Sequence, residues 1–200
     1  MRSAEDSNNW RMFVAIELST SVRQKLAEHL NRLRDSVPDA RASWVREENL
    51  HLTVKFLGNT PLTRVEALTT ATERAASTCE PLEIVVGGCG VFPTRGQPRV
   101  LWIGIEDQVG RLALLHRALE DECAAADFPR EERPFRPHLT LARIRRPHSS
   151  RQLAAMHEEI GFESRPVRCS ELLVIRSELR SEGSRYTTVS RRPFSSVKLE

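Results

Sequence analysis

His51-Leu52-Thr53-Val54 returns, 87 residues later, as His138-Leu139-Thr140-Leu141. Both tetrapeptides sit in short apolar, β-branched runs, which reads as strand. In a strand, residues two apart share a face. His51 and Thr53 therefore point one way, and Leu52 and Val54 the other. The second copy divides alike, with His138 and Thr140 opposite Leu139 and Leu141. Each strand has one face to pack on helices and one polar face of imidazole and hydroxyl. The strand–helix order around the two copies also repeats roughly, the mark of two lobes related by a pseudo-two-fold axis.

The flanks support that reading. Residues 11–18 form a strand. Val22, Leu26, Leu30 and Leu33 then recur at helical spacing to about Val37, where Pro38 stops the helix. Strands follow at 42–45 and 50–57, the second ending at Gly58. A helix is expected from Thr60-Pro61 to about 77, with Pro at its first position. Strands at 82–91 and 99–105 flank the turn-rich PTRGQP segment. Val109, Leu112, Leu115, Leu119 and Cys123 mark a helix at 107–125. A strand from Pro137, a helix at 149–160, and strands at 169–179 and 185–190 complete the chain. The alternation is irregular and hairpin-like, so the fold class is α+β rather than a doubly wound sheet. We expect a flexible segment over 1–10, one bilobal domain over 11–194 and a tail over 195–200.

The composition excludes several classes. The 200 residues are 40% apolar and 28% charged, a globular composition. Apolar runs fall short of the roughly 18 residues of a membrane span, and the polar start lacks a secretory h-region. A cytoplasmic monomer is expected. The net charge of +3 is too small to announce a nucleic-acid binder, yet it suits a phosphate-bearing ligand. The cysteines at 79, 89, 123 and 169 lack C-x-x-C spacing. Neither a disulfide nor a metal is expected.

If the polar faces meet across the pseudo-dyad, two imidazoles and two hydroxyls converge on one cleft. Imidazoles titrate near 6.5 and serve as general acid and base. The hydroxyls donate to phosphate oxygens. Such a set suits a cyclic phosphodiester, which needs water activated on one side and the leaving alkoxide protonated on the other.

The paired motifs resemble those of the 2H phosphoesterase superfamily, most closely its bacterial RNA 2′,3′-cyclic phosphodiesterase branch, also described as 2′-5′ RNA ligase. The resemblance runs from about 11 to 190. It covers Arg11 to Ile16, Trp44-Val45, Glu48 to Gly58, Pro98 to Trp102, Phe135 to Arg143, Ser177, Gly183 and Arg185-Tyr186. It implies a bilobal fold with a cleft between two antiparallel-rich sheets, helices outside, and no cofactor. It implies hydrolysis of RNA 2′,3′-cyclic phosphate ends to 2′-phosphates, with a capacity for reversible 2′-5′ joining. His51 would be the proton donor and His138 the proton acceptor, although pseudo-symmetry leaves the two roles hard to separate from sequence. Thr53 and Thr140 would bind phosphate oxygens. Alternatives are a 2′-5′ oligonucleotide phosphodiesterase and a non-catalytic RNA-end module.

Other residues keep two readings. Arg143 matches a family phosphate ligand, but strict alternation puts it on the Leu139 face, so either the strand bulges or Arg143 is ordinary surface. Phe13 and Trp44 are candidates for stacking on a nucleobase or for core packing. Lys55 shares the His51 face by parity and meets either phosphate or solvent. His29, His116, His148 and His157 read as surface or packing residues.

Overall fold

The computed structural model describes residues 8–145, 149–181 and 183–195, so His148 and most of the expected end segments lie outside it. The chain runs β1 (Asn9–Glu17), α1 (Thr20–Ser36), β2 (Ala42–Trp44), β3 (His51–Pro61), α2 (Val65–Ser77), β4 (Leu82–Phe92), β5 (Val100–Glu106), α3 (Arg111–Ala125), β6 (His138–Ile144), α4 (Ser150–Ile160), β7 (Arg165–Cys169), β8 (Glu171–Arg180) and β9 (Gly183–Pro193). The class is α+β. Two antiparallel sheets hold strand orders β3-β1-β8-β9 and β2-β6-β5-β4-β7.

The halves exchange strands. The first half supplies β1 and β3 to one sheet but sends β4 to the other. The second half supplies β5 and β6 and returns β8 to the first sheet. Equivalent trios, β3-β1-β8 and β6-β5-β4, thus form the pseudo-symmetric unit. Helices cover one face of this frame, with α2 packed on α3 and α1 on α4. Beneath them lies one continuous core, including Met12, Val14, Ile16, Leu52, Leu101, Ile103, Leu139 and Leu141.

Local chemistry explains the elements and four departures from expectation. In α3 the buried stripe is Leu112, Leu115, Leu119 and Cys123, but Val109 is 71% exposed. The helix starts later because the Asp107 carboxylate accepts the backbone N–H groups of Arg111, Leu112 and Ala113 at 2.8–3.2 Å, satisfying donors that a helix start leaves free. Strand β3 passes through Gly58, whose φ of +70° carries the chain across an irregularity. It continues to Pro61, so Pro61 ends a strand and a short 3-10 turn, Leu62–Arg64, leads into α2. Strand β1 begins at Asn9, two residues before the expected start. Strand β7 was not expected: Pro166 interrupts its pattern, and a proline is tolerated because β7 is an edge strand.

Candidate active site

Both H-x-T strands depart from strict alternation at the same place. Ala15 pairs with Thr53 and Val14 with Lys55, leaving Val54 without a partner. Trp102 pairs with Thr140 and Leu101 with Ala142, leaving Leu141 without one. Each is a β-bulge, and an extra residue reverses which face the following side chains take. Past the bulge, Lys55 and Ala142 turn to the core, whereas Phe56 and Arg143 join the faces of His51 and His138. The bulge puts Arg143 on the histidine face, where it is exposed. Lys55 does not lie there. It is buried, and its ammonium contacts Glu120 of α3 at 2.7 Å and the Pro129 carbonyl at 2.9 Å.

The histidines are held identically. His51 Nδ1 lies 2.7 Å from the carbonyl of Asn49, and His138 Nδ1 lies 2.8 Å from the carbonyl of Arg136, in each case two residues back. A carbonyl only accepts, so each Nδ1 carries a proton and each Nε2 is the nitrogen turned away from that bond. His51 Nε2 accepts the Thr53 hydroxyl at 3.0 Å. Strands β3 and β6 touch across the boundary between the sheets. The charges of Arg143 and Arg11 both reach Tyr186 of β9, and the Tyr186 ring stands edge-on to His51 at 5.3 Å. The charge of an arginine from the second lobe thus acts on a ring beside His51 of the first.

The walls differ. His51 stacks on Phe13 at 4.8 Å. This aromatic enclosure drives its pKa down to about 4, by desolvation, against the opposing Asn49 bond. His138 meets the edges of Phe92 at 5.1 Å and Trp102 at 6.4 Å. Trp102 lies flat on β4: a Cβ at Gly90 would collide with its six-membered ring. Its buried Nε1 has no partner among the described residues.

Two stacking candidates are corrected. Phe13 is only 3% exposed and supports His51, so its ring has no face to offer a base. Trp44 pairs with the core-facing Ala142 and packs beneath Arg34 of α1, 5.3 Å from its ring centre, away from the histidine face. The exposed aromatic beside the pocket is Phe56, 56% exposed and 6.0 Å from Phe13. Parity hid it, because only the bulge at Val54 turns it outward. In the sequence Tyr186 stands out only within the Arg185-Tyr186 match, and Phe92 carries no motif of its own. His29 and His157 are buried and bonded to each other, and His116 stacks on Phe135 at 4.0 Å.

A family model described as the 2′-5′ RNA ligase superfamily matches residues 22–180. The chain belongs to this superfamily. Within it, the chain is 36% identical over 183 residues to a protein of Methanothermobacter thermautotrophicus named RNA 2′,3′-cyclic phosphodiesterase, covering 88% of this chain and 95% of that one. An Aquifex aeolicus protein of the same name is 30% identical over 183 residues, covering 90% and 94%. Among solved structures, TT0787 of Thermus thermophilus superposes with a TM-score of 0.76 at 26% identity, covering 92% and 97%. The matched residues include both H-x-T strands, β3 and β6.

Proposed function

We propose that this 2′-5′ RNA ligase superfamily member hydrolyses RNA 2′,3′-cyclic phosphate ends to 2′-phosphates. The observation that carries the reading is the matched pair of histidines, each with Nδ1 tied to a carbonyl and Nε2 left for chemistry, on two bulged strands in contact. The names of the relatives support the same substrate class.

In the proposed reaction His138 Nε2 takes a proton from water, the oxygen attacks phosphorus, and the P–O3′ bond breaks. His51 Nε2–H protonates the departing O3′, leaving a 2′-phosphomonoester. The two imidazoles cover both proton transfers, so the chemistry calls for no metal or cofactor. Thr53, Thr140 and Arg143 hold the non-bridging oxygens, and Phe56 stacks on the terminal base. Microscopic reversal with a 5′-hydroxyl in place of water would give 2′-5′ joining.

Burial bears on the donor role. A ring titrating near 4 is neutral in the free protein at neutral pH, so His51 gains its proton when the phosphodiester anion arrives and raises its pKa. The deciding experiment assays His51→Ala and His138→Ala on a 2′,3′-cyclic nucleotide, with circular dichroism to confirm folding. Folded variants should lose at least ~100-fold in rate. Full activity in either would overturn the mechanism. A 3′-phosphate product, or cleavage confined to 2′-5′ linkages, would instead favour the 2′-5′ oligonucleotide phosphodiesterase. Activity that persists in EDTA is expected.

A further inference from the structure

On the helix-covered side of the second sheet, His29 of α1, His157 of α4 and Cys89 of β4 place two nitrogens and a sulfur within 4.8 Å of one another. The elements come from both halves of the chain. Cys89 faces this layer because Gly88 bulges out of β4, so that Cys89 pairs with the buried Ile103. The histidines are 3% and 0% exposed, and Cys89 is half-buried.

The hydrogen bonds orient the two rings toward one point. His157 Nε2 lies 3.0 Å from the carbonyl of Trp102, so that nitrogen carries the ring proton. The bond to the Trp102 carbonyl leaves His157 Nδ1 as an acceptor. His29 Nε2 and His157 Nδ1 face each other at 2.9 Å. His29 Nε2–H donates to His157 Nδ1 across that gap, and a metal ion would take the place of the shared proton, with the His29 proton moving to Nδ1. His157, which donates its far N–H to a carbonyl, is oriented as a metal ligand is.

We propose that His29, His157 and Cys89 bind one thiophilic divalent transition-metal ion, with zinc as the best match to two imidazoles and a thiolate. Zinc bonds of ~2.0–2.1 Å to nitrogen at a tetrahedral angle need the two nitrogens about 3.3 Å apart, so the rings part by only about 0.4 Å. On binding, the Cys89 thiol releases its proton to water and bonds the metal as thiolate. Glu158, whose charge acts on both Cys89 and His157, is the nearby carboxylate for the fourth position or for charge balance. The site would join α1, α4 and β4 without touching the catalytic cleft.

Chelator-stripped protein titrated with cobalt(II) tests this. One equivalent should bind with tetrahedral d–d bands and a thiolate charge-transfer band, and zinc should displace it. Cys89→Ser should abolish the charge-transfer band and weaken binding at least tenfold, while hydrolysis of a 2′,3′-cyclic nucleotide stays unchanged. Should that variant not fold, alkylation of the wild type followed by mass spectrometry replaces it, with zinc expected to protect Cys89 selectively. Failure to bind one equivalent, a thiolate band that survives Cys89→Ser, or Cys89 alkylation unaffected by zinc would overturn the site and leave a proton-bridged pair.

Discussion

The Thr53 hydroxyl has one proton and two claimants for it. In the free protein it donates to His51 Nε2. Once that nitrogen is protonated, the ring donates to Thr53 instead, and the hydroxyl proton is released toward a phosphate oxygen. In the proposed reaction, substrate charge, ring protonation and oxygen binding are therefore coupled. Because kcat/KM reports the free enzyme and kcat the complex, the alkaline limb of kcat should lie above that of kcat/KM. Coincident limbs would assign the donor role to another group. Phe56→Ala should raise KM on oligonucleotides about 5- to 150-fold, the equivalent of ~1–3 kcal/mol of stacking, and do little to a cyclic phosphate without a base. The shared face of each His/Thr pair was legible at this scale because two-residue alternation holds up to Thr53 and Thr140. Phe56, Lys55 and Arg143 were not, because one unpaired residue in each strand reverses the parity and bulges carry no reliable sequence signature.

Among the elements, α3 and β3 are joined by a buried ion pair. Lys55 and Glu120 are almost without solvent contact, and Glu120 also accepts the backbone N–H of Glu131 at 3.1 Å. That bond ties down the segment leading toward β6 and His138. Removing one partner leaves an uncompensated buried charge, so Lys55→Ala should cost about 3–5 kcal/mol in denaturant unfolding, and Lys55→Met with Glu120→Leu much less. If the single and double variants unfolded alike, the pair would not be carrying that energy. Leu139→Ala, on the packed side of β6, should cost ~2–5 kcal/mol. Most elements were readable from apolar period and caps. Strand β7 escaped because Pro166 breaks its pattern, and the start of α3 was misplaced because Asp107 fixes it from outside the apolar stripe.

For the whole molecule, acid stability follows from the histidines. Burial brings His29 and His51 to about 4 and also lowers His116 and His157. Unfolded imidazoles titrate near 6.5. Between those values the unfolded chain binds protons that the folded chain refuses. Stability is full above about 6.5 and is lost as the pH falls toward 4. The melting temperature of metal-free protein should drop across that window, and a flat profile would contradict the burial of these rings. The bilobal plan was readable from the repeated motif. The exchange of β4 and β8 was not, since pairing between distant strands leaves no local pattern. That exchange governs how the protein emerges from the ribosome: a nascent chain holding only the first half has β1 with one neighbour and β4 with none of its own, so its apolar edges stay open until β8 is made. Productive folding must await almost the entire polypeptide, and early fragments should be clients for chaperones rather than independent lobes.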